Sequence, residues 1–180
     1  MSRVGLPQAM NKTADTEPER DPNPGARHHQ LQAWSFVTGQ FILLAVLVLA
    51  PLRGPPRATT ALTITGYALS ALSVIGILVA ASALGRGLTA SPLPNQAAQL
   101  RTGGLYKWVR HPIYSFVLMF GLGRMISSPT ATTIFTLAVL VALLTGKARW
   151  EERRLMERFA GYSDYARTTP RFVPQRIRRR

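Results

Sequence analysis

The chain has no cysteine, so a disulfide, a thiolate nucleophile and a thiolate metal site are all excluded. Acidic residues are scarce too: 8 Asp and Glu stand against 22 Lys and Arg, and the net charge is +14. That total suits a nucleic-acid binder, but its distribution does not. No Asp, Glu, Lys or Arg lies between Arg27 and Arg53, between Arg57 and Arg86, or between Arg124 and Lys147. A bilayer-spanning helix takes roughly 20 apolar residues, and each of these gaps can hold one. The basic residues flank the gaps, as the positive-inside rule expects, so anionic lipid headgroups rather than nucleic acid are their expected partners. The start of the chain also lacks the basic-then-apolar order of a secretory signal.

The pattern predicts an all-α protein, an integral membrane bundle of about four transmembrane helices with a cytoplasmic C-terminal helix. Residues 1–32 are rich in Pro, Asp, Glu and Asn and read as a flexible polar tail. Its paired His28–His29 lacks a nearby third ligand, so it reads as an interfacial pair and not a metal site. Residues 33–84 hold two spans, Ala33–Leu52 and Thr59–Leu84. The prolines of Arg53-Gly-Pro-Pro-Arg57 break the helix between them. Small residues in the second span, among them Gly66, Ser70, Ser73 and Gly76, suit close helix packing.

Gly85, Gly87, Pro92 and Pro94 then interrupt helix and give a long irregular connection, a kind of loop that often carries function. Ile113–Ser127 and Thr130–Gly146 form the expected helical hairpin across Ser128-Pro129, with Arg124 snorkelling to the far interface. Lys147–Phe159 reads as a basic helix emerging from the membrane. The tail, the 84–112 loop and the C-terminus fall on one side. That side holds 19 of the 22 basic residues, so both termini are expected in the cytoplasm. Tyr162–Pro174 reads as an extended or turned segment along the membrane face, and residues 176–180 as a basic lipid-surface tail.

Two stretches carry the chemistry. Leu100–Tyr114 reads LRTGGLYKWVRHPIY and meets the membrane edge with Arg110, His111 and Tyr114. In the emerging helix Lys147, Glu151, Leu155 and Phe159 lie on one i, i+4 stripe, with Ala148, Glu152 and Met156 beside them. Both carboxylates therefore share a flank with residues expected to pack inward, and an inward carboxylate needs a partner. That partner is either a ligand or an ion pair with Lys147 or Arg110.

Leu100, Gly104, Tyr106 and Arg110-His111-Pro112-Ile113-Tyr114, followed by Glu151-Glu152-Arg-Arg-Leu155, Phe159, Tyr162, Tyr165, Pro170-Arg171 and Pro174, resemble the isoprenylcysteine carboxyl methyltransferase and phospholipid methyltransferase superfamily. The likeness covers about residues 83–175, so the catalytic region is expected in residues 85–175. It implies a multi-pass membrane enzyme that uses S-adenosyl-L-methionine at the cytoplasmic interface and needs no metal. By matching positions, Leu100, Tyr106, His111, Pro112, Tyr114 and Glu151 contact the cofactor, with Glu152 in the same set as a supporting residue. Arg110 and His111 are the expected catalytic residues. Lys147 and Arg149 are expected to meet a lipophilic acceptor.

Departures lie at Ala98, at Lys107-Trp108 and in the spacing between Phe159 and Tyr162, and they bear on the acceptor more than on the cofactor. Carboxyl O-methylation of an isoprenylcysteine-like acid is the first expectation and N-methylation of a phospholipid amine the second. An NADPH-dependent membrane reductase of the sterol type is the rival class. Its phosphates call for basic partners, where this chain offers Glu151–Glu152.

Overall fold

The computed structural model describes residues 24–53, 58–85 and 100–175, with side chains omitted for 24–29 and 52–53. Residues 1–23, the turn at 54–57, the connection at 86–99 and the tail at 176–180 lie outside the described residues, as do the side chains of His28–His29. Five α-helices are described: α1 (Pro24–Leu49), α2 (Thr60–Leu84), α3 (Pro112–Ser127), α4 (Ala131–Arg158) and α5 (Tyr162–Thr168). Single 3₁₀ turns cover Ala50–Arg53 and Gly104–Lys107. The described residues contain helix and no strand, so the all-α expectation holds.

Three of these helices are long and apolar enough to cross a membrane, within Gln30–Leu49, Thr60–Leu84 and Ala131–Arg158. α3 is apolar but has only 16 residues, about 24 Å of helix against a hydrocarbon core of about 30 Å. Large apolar side chains such as Phe41, Ile64, Leu72, Leu78 and Phe135 face outward. In water so many would be untenable; in lipid they are the solvent-facing surface. The protein is an integral, multi-pass membrane protein.

Two boundaries differ from the sequence expectation. α1 starts at Pro24, so residues 24–32 are helical and do not belong to a flexible tail. Pro24 supplies a φ already suited to the first helical position, and the next proline is Pro51. α4 runs unbroken through Lys147, where a span and a separate emerging helix were expected. Gly146 is the sole weak point there, and one glycine costs a helix only about 1 kcal/mol. At its start Thr130 and Thr133 form a capping box, each hydroxyl accepting from the other's N–H at 3.0–3.1 Å.

Packing joins two pairs. α2 lies along α3 through small residues: a Cβ on Gly66 would sit 2.5 Å from the Gly123 carbonyl oxygen, and one on Gly123 2.6 Å from that of Gly66. Such close backbone approach is what small residues permit in lipid. α1 lies along α4, with Phe36 against Trp150 and the Trp150 indole N–H donating to Gln32. Leu47, Val117, Leu140 and Leu144 form the core where α1, α3 and α4 meet.

Arg124 does not snorkel outward. It is buried, donates to the Leu47 and Val48 carbonyls at 3.3 and 3.4 Å, and stands over the Tyr67 ring. Those carbonyls end α1 and lack helical partners, so a cation there serves both hydrogen bonding and the helix dipole.

Candidate functional site

The site forms where α3 begins and α4 nears its end. Gly104, in the left-handed region at φ 61°, turns the chain into the 3₁₀ turn that buries Tyr106. Pro112 opens α3 and is fully buried, which fixes His111 at the cap. α5 and the segment behind it fold back over this corner. The backbone N–H groups of Arg110 and His111 donate to the Pro170 and Arg171 carbonyls at 2.9 and 3.1 Å, and the Ser115 hydroxyl donates to Phe172 at 2.6 Å. Residues 166–172 therefore form a strap. Its expected extended character holds only from Thr169 onward, since Tyr162–Thr168 is helical.

The adjacent carboxylates of α4 stand in different circumstances. Glu152 is surrounded by donors. Arg110 reaches Oε1 through Nε and Nη2 at 3.0 Å, and Arg171 spans both oxygens at 3.0 and 2.6 Å. His111 Nε2 lies 3.1 Å from Oε1. Arg110 also donates to the Ala166 and Thr169 carbonyls. Both oxygens of the buried Glu152 are engaged, Oε1 by three residues and Oε2 by Arg171.

Among the described residues Glu151 has one direct hydrogen bond, from the Tyr114 hydroxyl to Oε1 at 2.7 Å. Its Oε2 faces His111 Nδ1 at 3.8 Å, beyond hydrogen-bond length. The His111 and Tyr114 rings stack with centroids 5.2 Å apart. His111 thus stands between the two carboxylates. A neutral imidazole that donates from Nε2 to Glu152 keeps its Nδ1 lone pair toward Glu151. One turn further into the membrane, the buried Lys147 ammonium lies over the Tyr114 ring at 5.0 Å and donates to Gln40 of α1 at 3.2 Å.

The tyrosines around the corner are held as neutral phenols. Burial pushes Tyr106 up to about 12, and Tyr165, whose hydroxyl donates to the Tyr106 carbonyl at 2.6 Å, up to about 12 as well. Tyr162 is raised by burial first and by the charge of Glu152 second. Its hydroxyl is buried without a hydrogen-bond partner among the described residues. A buried orphan hydroxyl is costly and marks a place where a ligand or water completes the structure.

Of the residues singled out from sequence, Arg110, His111, Pro112, Tyr114, Lys147, Glu151 and Glu152 come together, with Tyr106 packed at the edge. Leu100 is half-buried at the start of the described stretch and makes no polar contact of its own. Arg149 does not join them; it is exposed on the outer face of α4, so its expected contact with the acceptor is not supported by position. Met156 is likewise exposed, against the inward placement read from the stripe. Sequence reasoning gave no role to Arg171, Tyr162 or Gln40. Gln40 did carry a signal, as an amide in the middle of an otherwise apolar run.

A family model described as phospholipid methyltransferase matches residues 61–161, more than half of the chain. The chain belongs to this methyltransferase family. The matched stretch includes α2, α3, α4 and both carboxylates, while α1 and the 166–172 strap lie outside it. Among curated proteins it is similar to the nickel-cobalt-cadmium resistance protein NccN of Alcaligenes xylosoxydans xylosoxydans, 36% identical over 59% of this chain and 51% of that protein. It is also similar to the cobalt-zinc-cadmium resistance protein CzcN of Cupriavidus metallidurans, 37% identical over 42% of this chain and 36% of that one. The chain therefore spans about half the length or less of these relatives. No group of three or more His, Cys, Asp and Glu placed to hold a metal occurs among the described residues.

Proposed function

We propose that this protein is a membrane methyltransferase that takes its methyl group from S-adenosyl-L-methionine and passes it to a lipophilic acceptor, with the site and both termini on the cytoplasmic side. The observation that carries the reading is the inequality of two neighbouring carboxylates. Glu152 is consumed by Arg110, Arg171 and His111, whereas Glu151 keeps an oxygen without a direct partner among the described residues, beside an aromatic stack.

The residues fit this cofactor. Glu151 suits its ammonium or ribose hydroxyls, the Tyr114 and His111 rings suit its flat base, and the orphan Tyr162 hydroxyl offers a further donor. When bound, the cofactor supplies an electrophilic methyl group on a sulfonium. The protein's own work is then alignment and exclusion of water, which can supply several kcal/mol. The strap and α5 cover the cluster from one side, while Lys147 stands ready for an anionic acceptor. NADPH fits less well, because Arg110 and Arg171, the guanidiniums nearest the cluster, are both spent on Glu152.

Carboxyl O-methylation of an isoprenylcysteine-like acid is the subtype we favour, since an ionised carboxylate needs no proton removed and Lys147 would hold it. The family match favours a second reading, methylation of a phospholipid amine. There His111 Nδ1 would accept the proton. The relatives are named for metal resistance; a methyltransferase would contribute to it by altering a membrane component and not by ligating metal.

The test is binding of labelled S-adenosyl-L-methionine to the detergent-purified protein beside Glu151→Gln, with NADPH as competitor. Binding that the substitution weakens and NADPH leaves alone supports the reading. Absent binding, or displacement by NADPH, overturns it.

A further inference from the structure

The Gln40–Lys147 contact joins α1, which the family match leaves out, to the centre of the site. Lysine can only donate, so the side-chain oxygen of Gln40 must face Nζ. The Gln40 NH₂ group therefore points away from Lys147, and it has no partner among the described residues. Of the three protons on Lys147, one goes to Gln40 and another faces the Tyr114 ring. What this layer has left over is donor capacity and one positive charge. The nearest carboxylate among the described residues, Glu151, lies one turn along α4, about 6 Å by helix rise, and already accepts from Tyr114. An ammonium kept in a buried place is costly without a direct counter-ion, and none faces Lys147 among the described residues. A fold that keeps one there has a use for an anion.

We propose that Gln40 and Lys147 together form the subsite for an anionic group of the acceptor, a carboxylate or a phosphate carried on a lipophilic chain. Gln40 is the specificity residue contributed by α1. Its oxygen holds the ammonium in place over Tyr114, and its NH₂ adds a second donor for the same anion. α1 is then part of the binding unit and not just an anchor. This deepens the methyltransferase reading and rests on it for the word acceptor; the anion subsite itself stands on the geometry.

The test measures binding of three amphiphiles to the full-length protein in a non-ionic detergent, with S-adenosylhomocysteine titrated separately. Dodecanoate carries the carboxylate, dodecyl phosphate the phosphate, and dodecyltrimethylammonium is the cationic control. Either anion, or both, should bind at least about tenfold more tightly than the cation, the scale of one hydrogen bond to a charged group. The stronger of the two names the acceptor's group. Gln40→Leu should weaken the anions by roughly fivefold to tenfold while leaving the homocysteine affinity alone.

Gln40→Glu keeps the size and the contact but neutralises Lys147 internally. It should remove the preference for anions with the fold intact, so misfolding of the leucine variant does not decide the matter. Equal binding of all three amphiphiles, or an unchanged preference in Gln40→Glu, overturns the subsite. Failure of S-adenosylhomocysteine to bind, with the anion preference intact, overturns the methyltransferase reading instead.

Discussion

Replacing each of the two neighbouring glutamates by glutamine should give opposite phenotypes. Glu152→Gln keeps shape and one acceptor oxygen but removes the charge that balances Arg110 and Arg171 and that faces His111 Nε2. The side chains of Glu152, His111 and Arg110 are 8%, 9% and 11% exposed, so three of the four groups are screened little by solvent. Arg171, at 28%, can turn toward water. Breaking a buried ion pair from one side costs about 3–5 kcal/mol, and the retained oxygen with the escape of Arg171 puts this variant near the lower figure. For a chain of this size about 3 kcal/mol corresponds to roughly 6–12 °C in melting temperature. Glu151→Gln keeps an acceptor for Tyr114 and loses the charged character of that bond, about 1 kcal/mol, together with a longer-range attraction to Lys147. The assay is thermal unfolding in detergent, alongside binding of labelled S-adenosyl-L-methionine. Expected is a large stability loss for Glu152→Gln, and a small one for Glu151→Gln with loss of binding. Equal melting losses would refute the division of labour between the two residues.

Three further outcomes follow from the geometry. Tyr162→Phe removes a hydroxyl that has no partner among the described residues, so the protein should melt at least as high as before, whereas a bound ligand should lose affinity; a drop of several degrees would show that the hydroxyl is already satisfied. Arg124→Leu strands the Leu47 and Val48 carbonyls and should cost about 1–3 kcal/mol, measured by melting, with cofactor binding unchanged because Arg124 stands at the other end of the bundle. The phenols of Tyr106 and Tyr165 rise from 10.0 to about 12 on folding, so their contribution is complete below pH 10 and is lost as pH climbs toward 12. Melting temperature should therefore be insensitive to these groups below pH 10, and Tyr165→Phe should lessen the alkaline fall seen by near-ultraviolet absorbance.

Much of the fold was readable because lipid imposes a simple rule. Uncharged runs of sufficient length become helices, and the gaps after Arg27, Arg57 and Arg124 did so. Boundaries set by local chemistry were harder to read. Polar residues 24–32 extend α1 because no further proline interrupts it before Pro51, and α4 passes through Lys147 because the single glycine there, Gly146, is too small a cost to end a helix. The site residues were found through the Arg110–Tyr114 and Glu151–Glu152 stretches, which are local in sequence. Arg171 and Gln40 depend on contacts between segments far apart in the chain. Nothing near either residue announces its partner. The stripe at Lys147, Glu151 and Leu155 gave the inward flank of α4 but placed Met156 on it too, since i+4 spacing fixes a face only to within about one residue.

The strap has a consequence for how the protein is made. Arg110 and His111 lie at the start of α3, yet their backbone N–H groups, and the guanidinium of Arg110, are satisfied by carbonyls of residues 166–171. Those carbonyls follow every described membrane helix in the chain. A chain stopped at residue 161 would therefore contain all the described spans and both glutamates and still present an unfinished corner. Placing the described spans in the membrane does not by itself complete the site, which also needs the carbonyls of residues 166–171.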